Sequence, residues 1–123
     1  MPLLQTVDTV VQFVADIEKA AKWYATLFEV EVEYENPSFA FIRAPGVTIG
    51  FHPADAKCPG GVGGTTVYWT VASLTQAVSA LEEMGARLLR GPGVTSLGDS
   101  VALLVDPFGC TIGLQQRTSG DLA

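Results

Sequence analysis

The stretches "TVVQFVADIEKAAKWY" at 9–24 and "TVYWTVASLTQAVSAL" at 66–81 decide the fold, because they are one pattern written twice. At an offset of 57, Thr9 lies over Thr66, Val10 over Val67, Val14 over Val71, Ala15 over Ala72 and Ala20 over Ala77. A second pair, "VTIGF" at 47–51 and "CTIGL" at 110–114, matches at an offset of 63. Two matches in the same order, separated only by loop length, mark an internal duplication.

Each copy opens with a β-branched and aromatic run, 6–14 or 65–72, that reads as a strand. Asp16 and Ser73 then stand as N-caps, since their side-chain oxygens can accept free backbone N–H groups of a first helical turn. Ile17, Ala20, Ala21, Tyr24, Leu27 and Phe28 form the apolar stripe of the first helix; Leu74, Ala77, Val78, Leu81 and Met84 form that of the second. Gly85 suits the residue just past a helix end. Three short strands follow each helix, at 30–35, 38–43 and 46–52, then at 86–90, 99–105 and 110–116. Pro37, "PG" at 45–46, "GPG" at 91–93 and "DPFG" at 106–109 read as turns between them. The expected fold class is α+β, two tandem βαβββ modules in a single domain spanning 1–123. Module one covers 6–52, a Gly- and Pro-rich linker 53–64, and module two 65–116.

Composition narrows the function. Thirteen acids against seven bases give a net charge of −6, which argues against a nucleic-acid partner. No apolar run approaches the roughly 20 residues of a membrane span, so no membrane partner is expected. Cys58 and Cys110 make no disulfide framework, and the N-terminus reads as carrying no secretory signal. A cytoplasmic protein with free thiols is expected.

The segments "FVADIEKAAKWYATLFEV" (13–30) and "ALLVDPFGCTIGLQQ" (102–116) resemble signatures of the vicinal oxygen chelate superfamily. That superfamily includes glyoxalase I, bleomycin-resistance proteins, fosfomycin-resistance transferases and extradiol dioxygenases. The first segment departs from the pattern with Trp23 for the usual Phe and Glu29 near the usual Gly; the second has Phe108 in place of an Asp. The resemblance implies two curled sheets forming a cup, commonly in a homodimer. It also implies metal ligands on the first and last strands of each module. Carried onto this chain, those four positions are Thr9, Gly50, Thr66 and Gly113. A hydroxyl is a weak neutral ligand and glycine has no side chain, whereas divalent metals in such sites want imidazole or carboxylate. No metal and no other cofactor is therefore expected.

Strand alternation then gives the face that would line the cup. It holds Thr9, Val11 and Phe13 with Thr48, Gly50 and His52 in module one; module two supplies Thr66, Tyr68 and Thr70 with Thr111, Gly113 and Gln115. Leu103, Val101 and Val105 join them, as do Phe39 and Phe41. Hydroxyls, aromatics, one imidazole and one amide suit a flat organic molecule held by stacking and a few hydrogen bonds. The glycines either widen the cup or fill a crowded spot. Glu31, Glu33 and Glu35 form either an acidic rim for a cation or a solvated face that deters edge pairing. Trp69 falls with Val67 and Val71 on the helix side, and Gln12 is a polar residue on the same side of its strand.

The expected function is metal-independent binding of a small molecule, such as sequestration of a drug or toxic metabolite. The alternatives are a metal-independent lyase or isomerase in the same cup, using His52, Tyr68 or Thr66, and a domain kept for interaction. Of these His52, which can act as a base near neutral pH, is singled out as the catalytic candidate.

Overall fold

The computed structural model describes residues 2, 3 and 5–118. The chain divides into two compact units, the first ending at Gly60 and the second starting at Gly61. Each is a four-stranded sheet with one helix, and the element order is βαβββ in both.

In the first unit, β1 (Thr9–Val14) leads to α1 (Ile17–Phe28), then β2 (Glu33–Asn36), β3 (Phe39–Ala44) and β4 (Val47–Pro53). The strand order is β1-β4-β3-β2, with β1 parallel to β4 and the rest antiparallel. Asp16 caps α1 by accepting a hydrogen bond from the Lys19 amide at 3.0 Å. The helix lays Ala20, Ala21, Tyr24 and Ala25 on the sheet, where Ala40, Ile42, Ile49 and Phe51 are buried beneath it. Three alanines allow close approach, and Tyr24 fills the remaining space with its ring centroid 5.6 Å from that of Phe51. Burying each large apolar side chain there contributes about 1.5–3 kcal/mol.

β2 begins three residues later than the sequence suggested. Glu29 ends α1 in the left-handed region at φ 54°, and the Val30 amide still donates back to Ala25. Residues 30–32 thus close the helix before any strand can pair. The segment after β4 stays with this unit. The Ala54 amide donates to the Val14 carbonyl, and Gly60 presses so closely on the Phe13 carbonyl that a side chain there would collide with it.

The second unit repeats the plan with β5 (Tyr68–Thr70), α2 (Leu74–Glu83), β6 (Arg87–Val94), β7 (Ser100–Val105) and β8 (Thr111–Gln116), in the order β5-β8-β7-β6. Ser73 caps α2 through the Gln76 amide, and Gly85 follows its end at φ 100°. The Gln116 side-chain oxygen also accepts from the Leu74 amide at 2.7 Å, tying β8 to the helix start. Leu74, Val78 and Leu81 pack over Ala102, Leu104, Ile112 and Leu114.

Two expectations need correction. The opening strand of this unit is three residues, not eight, although backbone bonds from Gly113 to Val67 and from Val71 to Gln115 extend its pairing. And "GPG" at 91–93 is no turn: it lies inside β6, where the register shifts between Leu88 and Arg90 and again between Arg90 and Gly93. β6 is an edge strand, so the N–H that Pro92 lacks is not needed by a further neighbour. The reversal comes at 95–98, where Gly98 donates to the Thr95 carbonyl and the Thr95 hydroxyl accepts from the Leu97 and Asp99 amides. The "DPFG" turn is as expected. Asp106 Oδ1 accepts from the Phe108 and Cys110 amides, so the first Asp builds it and Phe108 does not disturb it.

Among the described residues no helix is long and apolar enough to cross a membrane.

Candidate functional site

The face of the first sheet away from α1 carries the candidate site. Register fixes which side chains share it, because residues paired across strands project to the same side. Val11 pairs with Gly50, Gly50 with Phe41, and Phe41 with Glu33. Thr9 pairs with Thr48 and Thr48 with Arg43; Phe13 pairs with His52. Thr9, Thr48, Gly50 and His52 therefore meet, and with Asp8, Glu35, Phe39, Phe41 and Arg43 they line a concavity of about 290 Å³.

His52 is its best-held polar group. The Phe39 ring stacks on the imidazole with centroids 4.3 Å apart and planes 28° from parallel. Phe13 meets the same imidazole edge-on at 6.0 Å. A Cβ at Gly50 would lie 3.7 Å from His52 Nε2, 3.5 Å from Val11 Cγ2 and 3.7 Å from Thr9 Cγ2, all ordinary contact distances. The glycine here leaves open floor beneath the imidazole rather than relieving a clash.

The charged groups are partly self-compensated. Arg43 donates from Nε to Glu33 Oε2 at 3.0 Å, and its guanidinium lies 5.3 Å from the Phe41 ring centroid. Asp8 accepts from the Thr9 hydroxyl at 2.7 Å. Arg43 and Asp8 escaped the sequence reading, which stopped at the two phenylalanines. Arg43 was within reach, since "FAFIRA" places it two residues past Phe41. Of the three acids taken as one strand face, Glu31 precedes β2, Glu33 pairs with Arg43, and Glu35 lines the concavity.

In the second unit the corresponding face is used differently. Tyr68 pairs with Gly113, and a Cβ on Gly113 would fall 2.6 Å from Tyr68 Cγ and Cδ2. The tyrosine ring thus lies flat on the glycine, and here the crowded reading of the repeated Gly holds. The Thr66 and Thr111 hydroxyls bond each other at 2.8 Å. Gln115 donates its amide to Asp99 at 2.9 Å, and the Thr118 amide donates to the other oxygen of that buried carboxylate. Leu103 pairs with Gly113 and is half-buried; Thr70 is exposed.

Gln12 lies opposite Phe51 on the helix side, and its Oε1 is buried without a partner. Trp69 lies opposite Leu114, also on the helix side, and is half-buried. Burial pushes the Cys110 thiol above its ordinary value of 9.0, with the Asp106 charge adding to the effect and a backbone hydrogen bond from Gly61 opposing it. Larger surface grooves of about 480 and 790 Å³ flank Tyr34, but they offer neither imidazole nor phenylalanine.

The residues at the family's metal positions are either already engaged or carry no donor. Thr9 spends its hydroxyl on Asp8, Thr66 shares its hydroxyl with Thr111, Gly50 has no donor, and Gly113 is covered by Tyr68. Among the described residues no group of three or more His, Cys, Asp or Glu is placed to hold a metal ion. This donor set does not fit a divalent metal.

Comparison with known proteins agrees with the fold. A comparison with curated proteins gives no match. The fold is similar to a glyoxalase/bleomycin resistance protein/dioxygenase family enzyme from Burkholderia phytofirmans PsJN, at TM-score 0.73 and 19% identity, covering 93% of this chain and all of that one. A superfamily member from Sphaerobacter thermophilus DSM 20745 matches at TM-score 0.72 and 20% identity, over 94% of this chain and 100% of the other. A glyoxalase/bleomycin resistance protein from Albidiferax ferrireducens T118 matches at TM-score 0.67 and 26% identity, over 89% and 98%. The sequence family described as the Glyoxalase/Bleomycin resistance protein/Dioxygenase superfamily matches residues 6–114, so the chain belongs to that superfamily.

Proposed function

We propose that the chain binds a small, flat organic molecule in the first-unit concavity, without a metal, and so sequesters a drug or toxic metabolite. The observation that carries this reading is the imidazole of His52, held between Phe39 and Phe13 above the open floor at Gly50. A rigid aromatic box loses little side-chain freedom on binding, and a ring entering over Gly50 meets backbone rather than a side chain. The Thr48 hydroxyl and the Thr9 oxygen, which can still accept, line the concavity together with Arg43, itself paired with Glu33. Among the described residues no group of three or more His, Cys, Asp or Glu is placed for a metal, which supports binding by stacking and hydrogen bonding. The setting proposed is cytoplasmic, as a homodimer, which light scattering checks.

Thermal melts against a panel of drug-like aromatics test the reading, because a ligand of the folded state raises the midpoint. The expected result is a stabilising compound recovered unchanged, with the stabilisation lost in His52→Ala. A compound consumed during incubation would replace sequestration by lyase or isomerase chemistry. A panel with no stabilising compound would overturn the proposal.

A further inference from the structure

The two sheets carry equivalent rows of four residues, and the second row has been rebuilt. Across the first sheet the row is Val11, Gly50, Phe41 and Glu33. Across the second it is Tyr68, Gly113, Leu103 and Arg90. Each row is held by backbone pairing, so its members face one side. Two things have changed between the copies. The aromatic has moved from the third place to the first, and the terminal charge has reversed sign.

Tyr68 is more than a cover for a strand glycine. A ring serving only that purpose gains by being buried, whereas Tyr68 remains 46% exposed while one face rests on Gly113. Among the described residues Tyr68 stacks on no other aromatic ring, which leaves its exposed part available to a ligand. Glu33, at the end of the first row, is neutralised by Arg43 at 3.0 Å. The Arg90 side chain, at the end of the second, makes no ion pair or hydrogen bond among the described residues. Arg87 pairs with Val105, which puts a second cation on the same face. Glu82 and Glu83, the nearest acids before it in the chain, lie on α2, and Asp99, the nearest after it, is buried and already holds the Gln115 and Thr118 donors. The exposed charge of this face is positive.

We propose that the second unit binds a planar aromatic carboxylate, with its rings on Tyr68 and Leu103 and its carboxylate on Arg90. Four adjacent strands span about 14 Å, and Tyr68 leans one strand spacing toward Arg90, leaving about 10 Å, close to two fused rings with a carboxylate. A planar guanidinium receives a carboxylate through paired N–H donors, which an ammonium does not match. The residues named all belong to the second unit.

The test is a fluorescence titration at low salt with 2-naphthoate and its neutral isostere 2-naphthamide. Wild-type protein is expected to prefer naphthoate by about fivefold or more, since a charge-assisted pair is stronger than a neutral one. The exposed Arg90→Gln variant is expected to lose that preference while keeping its affinity for naphthamide. Tyr68→Ala is expected to weaken both probes about tenfold, as loss of a stacking face does, and Tyr68→Phe to retain both. In His52→Ala, which removes any binding of the same probes at the first-unit concavity, the preference for naphthoate is expected to persist. Equal affinity of wild type for the two probes, a preference that survives Arg90→Gln, or no binding at all would each overturn the proposal. Loss of binding in His52→Ala but not in Tyr68→Ala would move the ligand to the first-unit concavity, overturning this inference and leaving the other intact.

Discussion

The Phe39 ring lies face to face with the His52 imidazole, 4.3 Å between centroids, because the register that pairs Ala40 with Phe51 and Phe41 with Gly50, carried one residue further, sets the two opposite one another on β3 and β4. Backbone pairing puts both side chains on one face, and their rotamers then bring the rings into a stack. A double-mutant cycle with Phe39→Ala and His52→Ala, followed by chemical denaturation, is expected to show a coupling of about 0.5–1.5 kcal/mol. Additive effects would mean that the stack does not hold the imidazole.

The repeated glycines separate under the same substitution. Gly50→Ala places a methyl at ordinary contact distance and is expected to change stability by no more than about 0.5 kcal/mol. Gly113→Ala drives its methyl into the Tyr68 ring and is expected to cost about 1–3 kcal/mol. Urea midpoints of the two variants measured side by side decide the matter, and equal midpoints would count against the flat Tyr68 geometry.

Glu29 is the one described non-glycine residue at positive φ. The left-handed region disfavours any side chain with a Cβ, and the cost of glycine in the unfolded chain offsets part of the gain. Glu29→Gly is expected to raise stability by about 0.5–1 kcal/mol, seen as a higher urea midpoint at unchanged slope. A lower midpoint would show that the Glu29 side chain contributes more than its backbone strain costs.

The buried thiol gives a pH signature. With the Cys110 value raised in the folded state, the unfolded chain releases its proton first as pH rises. The stability contributed by the neutral thiol is full below about pH 9 and is lost as pH climbs through the folded-state value. Cys110→Ala is expected to flatten the decline of stability above pH 9 relative to wild type. In the native protein, iodoacetamide should label the half-buried Cys58 well before Cys110.

Much of the fold was legible because its signals were local and repeated. The caps Asp16 and Ser73, the apolar stripes and the turn at Asp106 act within a few residues of themselves. Strand ends were less so: β2 starts late because Glu29 adopts a left-handed cap that its residue type does not advertise, and β6 continues through Pro92 because only its place at a sheet edge makes that proline harmless. In the site, alternation placed Thr9, Gly50 and His52 on one face. It gave no account of Phe39 stacking on His52, of Arg43 bridging to Glu33, or of the tyrosine on Gly113, since these depend on rotamers and cross-strand pairs. The same letters at 48–50 and 111–113 conceal two different environments.

The central claim is that recognition at His52 needs no metal. It is tested most directly by melting metal-stripped protein with and without stoichiometric Zn²⁺, Ni²⁺ or Mn²⁺, alongside His52→Ala. The account predicts an unchanged midpoint with every metal. A rise of several degrees with one of them, absent in His52→Ala, would contradict it.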